Sequence, residues 1–317
     1  MDSQFSSNRL FQPDSQASQP SANEGSNSEP LGQAPPDVAN LFQSQSSILL
    51  KPGEVQLDIG FVYSWQEATG LVLLPGNALA LQRVRDRRFL MPLNLRYGYK
   101  ERVELFLFAP FGFAALEQSD PANLDTDTQG GVGDLRAGFM YQLRNQKGAV
   151  PDVTMSLSFA APTGGDPFTA SANLPSIGNG FWDIAAQFNF VRSLDPVVFF
   201  GGVGFLHQFG DTFNGVLIQP GEVFDYSFGM GFAVSDDVAL SVSLNGYLQM
   251  RTAVDRVLIV NSSQEPTSLR LSCSRRTSKH TRMQPFVDFG LNDDAVDFEF
   301  GVIFTRDLRK YVGEASP

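Results

Sequence analysis

From Glu54 onward, apolar side chains recur at every second position, and that regularity restricts the chain to extended strands with two unlike faces. Val55, Leu57, Ile59, Phe61 and Tyr63 alternate with Gln56, Asp58, Gly60 and Ser64. The pattern returns with Leu93, Leu95, Tyr97 and Tyr99 against Asn94, Arg96 and Gly98. It recurs with Leu135, Ala137, Phe139, Tyr141 and Leu143 against Asp134, Arg136 and Gln142, and with Val153, Met155, Leu157 and Phe159 against Thr154, Ser156 and Ser158. Further runs are centred on Ile184 to Phe190, Phe224 to Val234 and Val238 to Leu248. The stretch Val197 to Phe209 is apolar or glycine on both faces, so its orientation is not readable.

The polar face decides the medium. A soluble sandwich or lipocalin-like barrel also alternates, but its outer face meets water and usually carries Lys and Glu. Here the small-polar face holds Ser, Thr, Asn, Gly and scattered Asp with very little Lys, which points to a lumen inside a membrane-spanning barrel. Charged residues make up only 18% of the chain, whereas 28 Phe and 29 Gly suit strands and turns rather than a helical bundle. The longest apolar run, Leu105 to Leu116, contains Pro110 and is shorter than the roughly 18 residues of a spanning helix. A barrel strand needs only about 9 to 11 residues.

A formal charge of -11 argues against a nucleic-acid partner, which would need a basic face. Cys273 is the sole cysteine, so the chain has no intrachain disulfide and no cysteine-based metal site. Residues 1–47 are rich in Ser, Gln, Asn and Pro and are expected to form a disordered arm. No basic start followed by an apolar run marks them as a secretory signal. Residues 48–305 are assigned to the barrel and 306–317 to a C-terminal tail.

Connections alternate in length, as between short periplasmic turns and longer outer loops. Short ones are expected near Lys100-Glu101, Asn145 to Val150, Ser193 to Pro196, Ser235 to Asp237 and Thr277 to Lys279. Longer ones are expected at Gln66 to Arg88, Glu117 to Gly130, Pro162 to Asn179, Gly210 to Gly221 and Arg251 to Pro266, with a brief outer loop at Asn292 to Asp297. About twelve antiparallel up-and-down strands result, with both ends of the barrel segment on the periplasmic side.

The segment Gly130 to Leu143, GGVGDLRAGFMYQL, resembles a family of outer-membrane transporters named for the meta pathway of phenol degradation. The likeness continues through Ala161-Pro162-Thr163-Gly164, through Gly178-Asn179-Gly180-Phe181-Trp182-Asp183, and at Phe289 to Phe298, FGLNDDAVDF. Its pieces fall in order between about residues 50 and 305. Val296 departs from that family's last loop, which often has proline there. The resemblance implies an outer-membrane barrel with a role in uptake of small solutes, aromatic ones included. It supplies no catalytic or binding residues.

Candidate lumen residues follow from parity. Asp134, Asp183, Asp225, Asp288 and Glu299 fall near the outer ends of their strands and would form an acidic girdle that favours cations or neutral solutes. Alternatively they pair with the lumen arginines Arg96, Arg136 and Arg270 and stabilise the wall. Phe106 and Phe108 face inward, either as an apolar slide for hydrophobic solutes or as a plug. Arg83, Arg85 and Arg87 share parity with Phe89 and Met91 on the outer wall, where guanidinium groups can bind lipid phosphates. Alternatively they lie in a loop without a specific role.

His207 and His280 fall at opposite ends of the barrel and cannot share a metal. A hydrolase with His207 as base is the weaker reading. The expectation is therefore a conduit for small solutes in the outer membrane, in contact with lipid, without enzyme activity, cofactor or metal. The competing class is a structural or surface-interaction protein with an occluded lumen. The oligomeric state is not readable.

Overall fold

The computed structural model describes residues 49–74, 78–119, 124–165, 175–194, 197–235 and 237–308, without the side chains of residues 70–80. The expected arm at 1–47 and the tail beyond residue 308 lie outside the described residues.

The barrel strands are β1 (Val55–Leu74), β2 (Ala78–Lys100), β3 (Val103–Ser119), β4 (Leu124–Val132), β5 (Leu135–Arg144), β6 (Asp152–Ala161), β7 (Asp183–Leu194) and β8 (Val197–Gln208). After the short strands β9 (Asp211–Phe213) and β10 (Val216–Gln219) come β11 (Val223–Ser235) and β12 (Val238–Gln249). Then follow β13 (Ala253–Val254), β14 (Val257–Leu258), β15 (Thr267–Ser278), β16 (Thr281–Gly290) and β17 (Phe298–Asp307). Pairing is antiparallel throughout, and β1 bonds both β2 and β17, which closes the sheet. β4 pairs with the outer half of β3 and β5 with its inner half, so the two share one place and the ring has twelve. β17 carries the barrel to Asp307, two residues past the expected boundary.

Most spanning strands have 10 to 13 residues. At about 3.3 Å per residue, ten residues tilted by roughly 40° cross about 25 Å, the height of an outer-membrane apolar band. β1, β2 and β3 are longer, with 20, 23 and 17 residues, and continue past that band on the outer side. Here the structure corrects the sequence reading. The segments expected as long loops at Gln66 to Arg88 and Glu117 to Gly130 are paired strand for most of their length. Glu67, Arg85 and Glu117 lie directly opposite one another in adjacent strands there. Opposite charges at cross-strand positions stabilise the extension.

Two other expected loops carry hairpins. β9 with β10 and β13 with β14 make a four-stranded sheet on the outer side. Asn214-Gly215 and Asp255-Arg256 turn these hairpins with both central residues at positive φ, the geometry that matches strand twist in two-residue turns.

The outward face is apolar and exposed, including Leu157, Phe188, Phe228, Leu240 and Phe300. Near the outer ends of the strands, aromatic rings meet across neighbouring elements. Tyr63 lies 5.4 Å from Phe300, Phe89 5.5 Å from Phe113, Phe159 5.1 Å from Trp182 and Phe205 5.0 Å from Phe224. Such a girdle marks a membrane–water interface. Among the described residues no helix is long and apolar enough to cross a membrane. β8 now has an orientation: Val203 and Phe205 face outward, and Gly202 and Gly204 line the lumen.

Candidate functional site

The site is the lumen, built by the inward residues of all twelve places. At its periplasmic end Glu104 is fully buried and receives Arg96 Nε at 2.5 Å and Nη2 at 2.9 Å. Arg96 Nη1 also donates to Gln56 Oε1 at 2.8 Å, and Gln56 Nε2 donates to Asp307 at 3.0 Å. The backbone N–H of Leu50 donates to Glu104 Oε2 at 2.9 Å, which ties the chain ahead of β1 to the same knot. Asn94 Nδ2 reaches Asp58 at 3.3 Å beside it. Arg96 therefore stands at the opposite end from the carboxylates it was expected to pair with. Glu104 was missed, although the parity that turned Phe106 and Phe108 inward turns it inward too.

In the middle, Phe108 joins Val62, Leu90, Phe286 and Ile303 in a buried apolar cluster on five neighbouring strands, β16, β17, β1, β2 and β3. Phe106 is also buried, with its ring over Gly138. A Cβ there would come 2.7 Å from Phe106 Cζ. Ile177, from the segment between β6 and β7, completes the cluster from above.

At the outer mouth the five expected girdle residues lie on or beside the inward face, and each is engaged. Arg136 contacts Asp183 at 2.9 Å and Ser158 Oγ at 3.1 Å. Arg270 grips Asp288 through two nitrogens, reaches Glu299 at 3.5 Å and stacks 4.3 Å over the Phe286 ring. Asp225 accepts from Gln187 Nε2 at 3.4 Å. Asp134 accepts backbone N–H groups of Gly164 at 3.0 Å and Asn179 at 2.7 Å. Burial raises its carboxyl above the usual range, and those two donors oppose the rise.

Asp134 shows why three of the resembling motifs share their glycines. Thr163 Oγ1 donates to the Gly133 carbonyl at 3.1 Å and accepts from the Leu135 N–H at 3.0 Å. A Cβ on Gly164 would stand 2.7 Å from Gly178 Cα and 2.9 Å from Gly133 Cα, so the three backbones close together only as glycine. Segments 130–143, 161–164 and 178–183 thus meet in one clasp that holds Ile177 over the lumen.

Arg83, Arg85 and Arg87 stand on the outer wall above the aromatic row and form an ionic ladder. Glu67 touches Arg83 at 3.0 Å and Arg85 at 2.9 Å, while Glu117 touches Arg85 at 2.9 Å and Arg87 at 3.6 Å. His207 Nδ1 lies 2.8 Å from Glu222 Oε1 near the outer end of β8, and His280 sits beside the β15–β16 turn at the other end. Among the described residues no group of three metal-binding side chains converges.

A closed ring of twelve antiparallel places, an apolar outer belt with aromatic girdle and a polar-lined interior define an outer-membrane β-barrel. The chain belongs to the family described as "Putative MetA-pathway of phenol degradation", whose model matches residues 43–271. In fold it is similar to an outer membrane channel from Pseudomonas putida F1, at 15% identity and a TM-score of 0.65, covering 83% of this chain and 98% of that one. It also matches the translocator domain of the autotransporter NalP from Neisseria meningitidis, at 9% identity and a TM-score of 0.47, covering 84% and 92%. A third match is the β domain of the Bordetella autotransporter BrkA, at 9% identity and 0.45, covering 81% and 100%.

Proposed function

We propose that the barrel is a conduit for uptake of small solutes across the outer membrane, hydrophobic and aromatic ones in particular. The observation that carries this reading is the apolar strip of Val62, Leu90, Phe108, Phe286 and Ile303 down one side of an otherwise polar lumen. A water-filled pore for ions has no use for such a strip. The family's description and the channel from Pseudomonas putida F1 support the same reading.

Phe106→Ala with Phe108→Ala tests it in proteoliposomes carrying lipopolysaccharide. Uptake of aromatic solutes should fall several-fold with ionic conductance little changed. A rise in conductance with uptake unaltered would make the rings a plug and favour the occluded scaffold.

Charge sets the second expectation. Of the mouth carboxylates, Asp183, Asp288 and Glu299 are held by Arg136 and Arg270, so they act chiefly as wall ties. Counting Asp58, Glu104, Asp134 and Asp225 as well, carboxylates outnumber guanidinium groups in the lumen, and the residual field favours cations and neutral solutes. Reversal potentials across a salt gradient in planar bilayers should therefore show cation preference, and anion selectivity would contradict it. On the outer wall, Arg83 and Arg87 are 50% and 45% exposed and keep donors for lipid phosphate, whereas Arg85 is committed to two carboxylates.

A further inference from the structure

Opposite the apolar strip, across the ring, lies the wall of β6, β7, β8 and β11. One rung of this wall runs Thr154, Asn189, Gly202 and Ser227, each directly beside the next. Thr154 and Asn189 are 1% and 5% exposed, and Thr154 Oγ1, Asn189 Oδ1 and Ser227 Oγ have no hydrogen-bond partner among the described residues. On the next rung toward the mouth, Gln187 is 5% exposed and its Oε1 is likewise unpartnered. Buried polar side-chain atoms nearly always have partners, so four on two adjacent rungs of one wall is a concentration that asks for a ligand.

The bare strand between them is part of the arrangement. A Cβ on Gly202 would stand 2.5 Å from Asn189 Oδ1, so any side chain there would displace the amide. Glycine at 202 leaves Asn189 room to lean along the wall. Its oxygen, like that of Gln187, is an acceptor and calls for a donor from the solute. The lumen arginines Arg88, Arg96, Arg136 and Arg270 each contact a carboxylate, which weakens their pull on an anion.

We propose that this wall is a hydrogen-bonding site for the polar group of a neutral aromatic solute bearing an O–H or N–H donor. The ring lies toward Leu90, Phe108 and Phe286, and the donor toward Asn189 and Gln187. The site deepens the conduit reading and rests on it for the route by which the solute arrives. It selects hydroxylated or aminated rings over plain hydrocarbons, which leave the acceptors unmet, and over carboxylates, which the acidic lumen repels.

Fluorine NMR on the full-length barrel in detergent tests the site with 4-fluorophenol, fluorobenzene and 4-fluorobenzoate. 4-Fluorophenol should bind about ten-fold more tightly than either other probe, the ratio of one added hydrogen bond. Asn189→Leu should abolish that preference while leaving fluorobenzene affinity unchanged. Thr154→Val with Ser227→Ala, which removes hydroxyls at nearly constant shape, should reduce it several-fold and serves if Asn189→Leu misfolds. Equal binding of 4-fluorophenol and fluorobenzene, or a preference that survives these variants, would overturn the site. Uptake of the same three probes into proteoliposomes separates the two readings. Uptake without preference in binding removes the site and keeps the conduit, whereas preference in binding without uptake keeps the site and removes the conduit.

Discussion

Glu104→Ala destabilises the barrel by about 3–5 kcal/mol, the cost of stranding one member of a buried ion pair. Glu104 is fully buried and is the carboxylate that Arg96 contacts through two nitrogens. Its removal takes from the buried Arg96 guanidinium the carboxylate that two of its nitrogens contact and leaves the Leu50 N–H without its acceptor. Replacing both members tells the origin of the loss. Arg96→Met with Glu104→Leu should recover most of it, because a buried pair exchanged for apolar residues of similar volume is often near neutral. Urea titration of the barrel in detergent, followed by its mobility shift on heating, measures both. A single variant as stable as the native chain would contradict the geometry.

Leu157→Arg has the other large effect, and it tests the outer face as the first tests the inner. Leu157 lies midway along β6, points outward and is 36% exposed. An arginine at bilayer mid-depth on a barrel's lipid face costs about 2–4 kcal/mol. The folding equilibrium in lipid vesicles should thus fall roughly 30- to 1,000-fold, at about 1.4 kcal/mol per decade. Leu157→Phe should be close to neutral in the same titration. In a water-soluble barrel the arginine at 157 would be harmless.

Much of this was legible in the sequence because a strand's period of two prints its environment on alternate residues. The ring of twelve, the inward parity of Phe106, Phe108, Asp183 and Asp288, and the outward parity of Arg83, Arg85 and Arg87 all follow from it. Register does not. That Arg136 meets Asp183 and Arg270 meets Asp288 depends on which residues of separate strands come side by side, which no single strand reveals. The hairpin extension of β1 and β2 was hidden because Leu71, Val72, Leu73 and Leu74 are apolar at consecutive positions, so the period of two that marks a spanning strand is lost there. β8 was unreadable because Gly202 and Gly204 occupy the inward positions that a polar residue would otherwise have marked. The glycines of the clasp were visible as a motif, but their reason, three backbones in contact around Asp134, exists only in three dimensions.

The central claim is that successive side chains meet acyl chains and lumen in turn. A nitroxide scan of positions 153–160, with the sole cysteine first removed as Cys273→Ser, measures this in refolded lipid vesicles. Oxygen collisions should peak at 153, 155, 157 and 159 and dip at 154, 156 and 158. Uniform accessibility, or a protein that stays monomeric in water without detergent and shows no oxygen-rich face, would contradict the account.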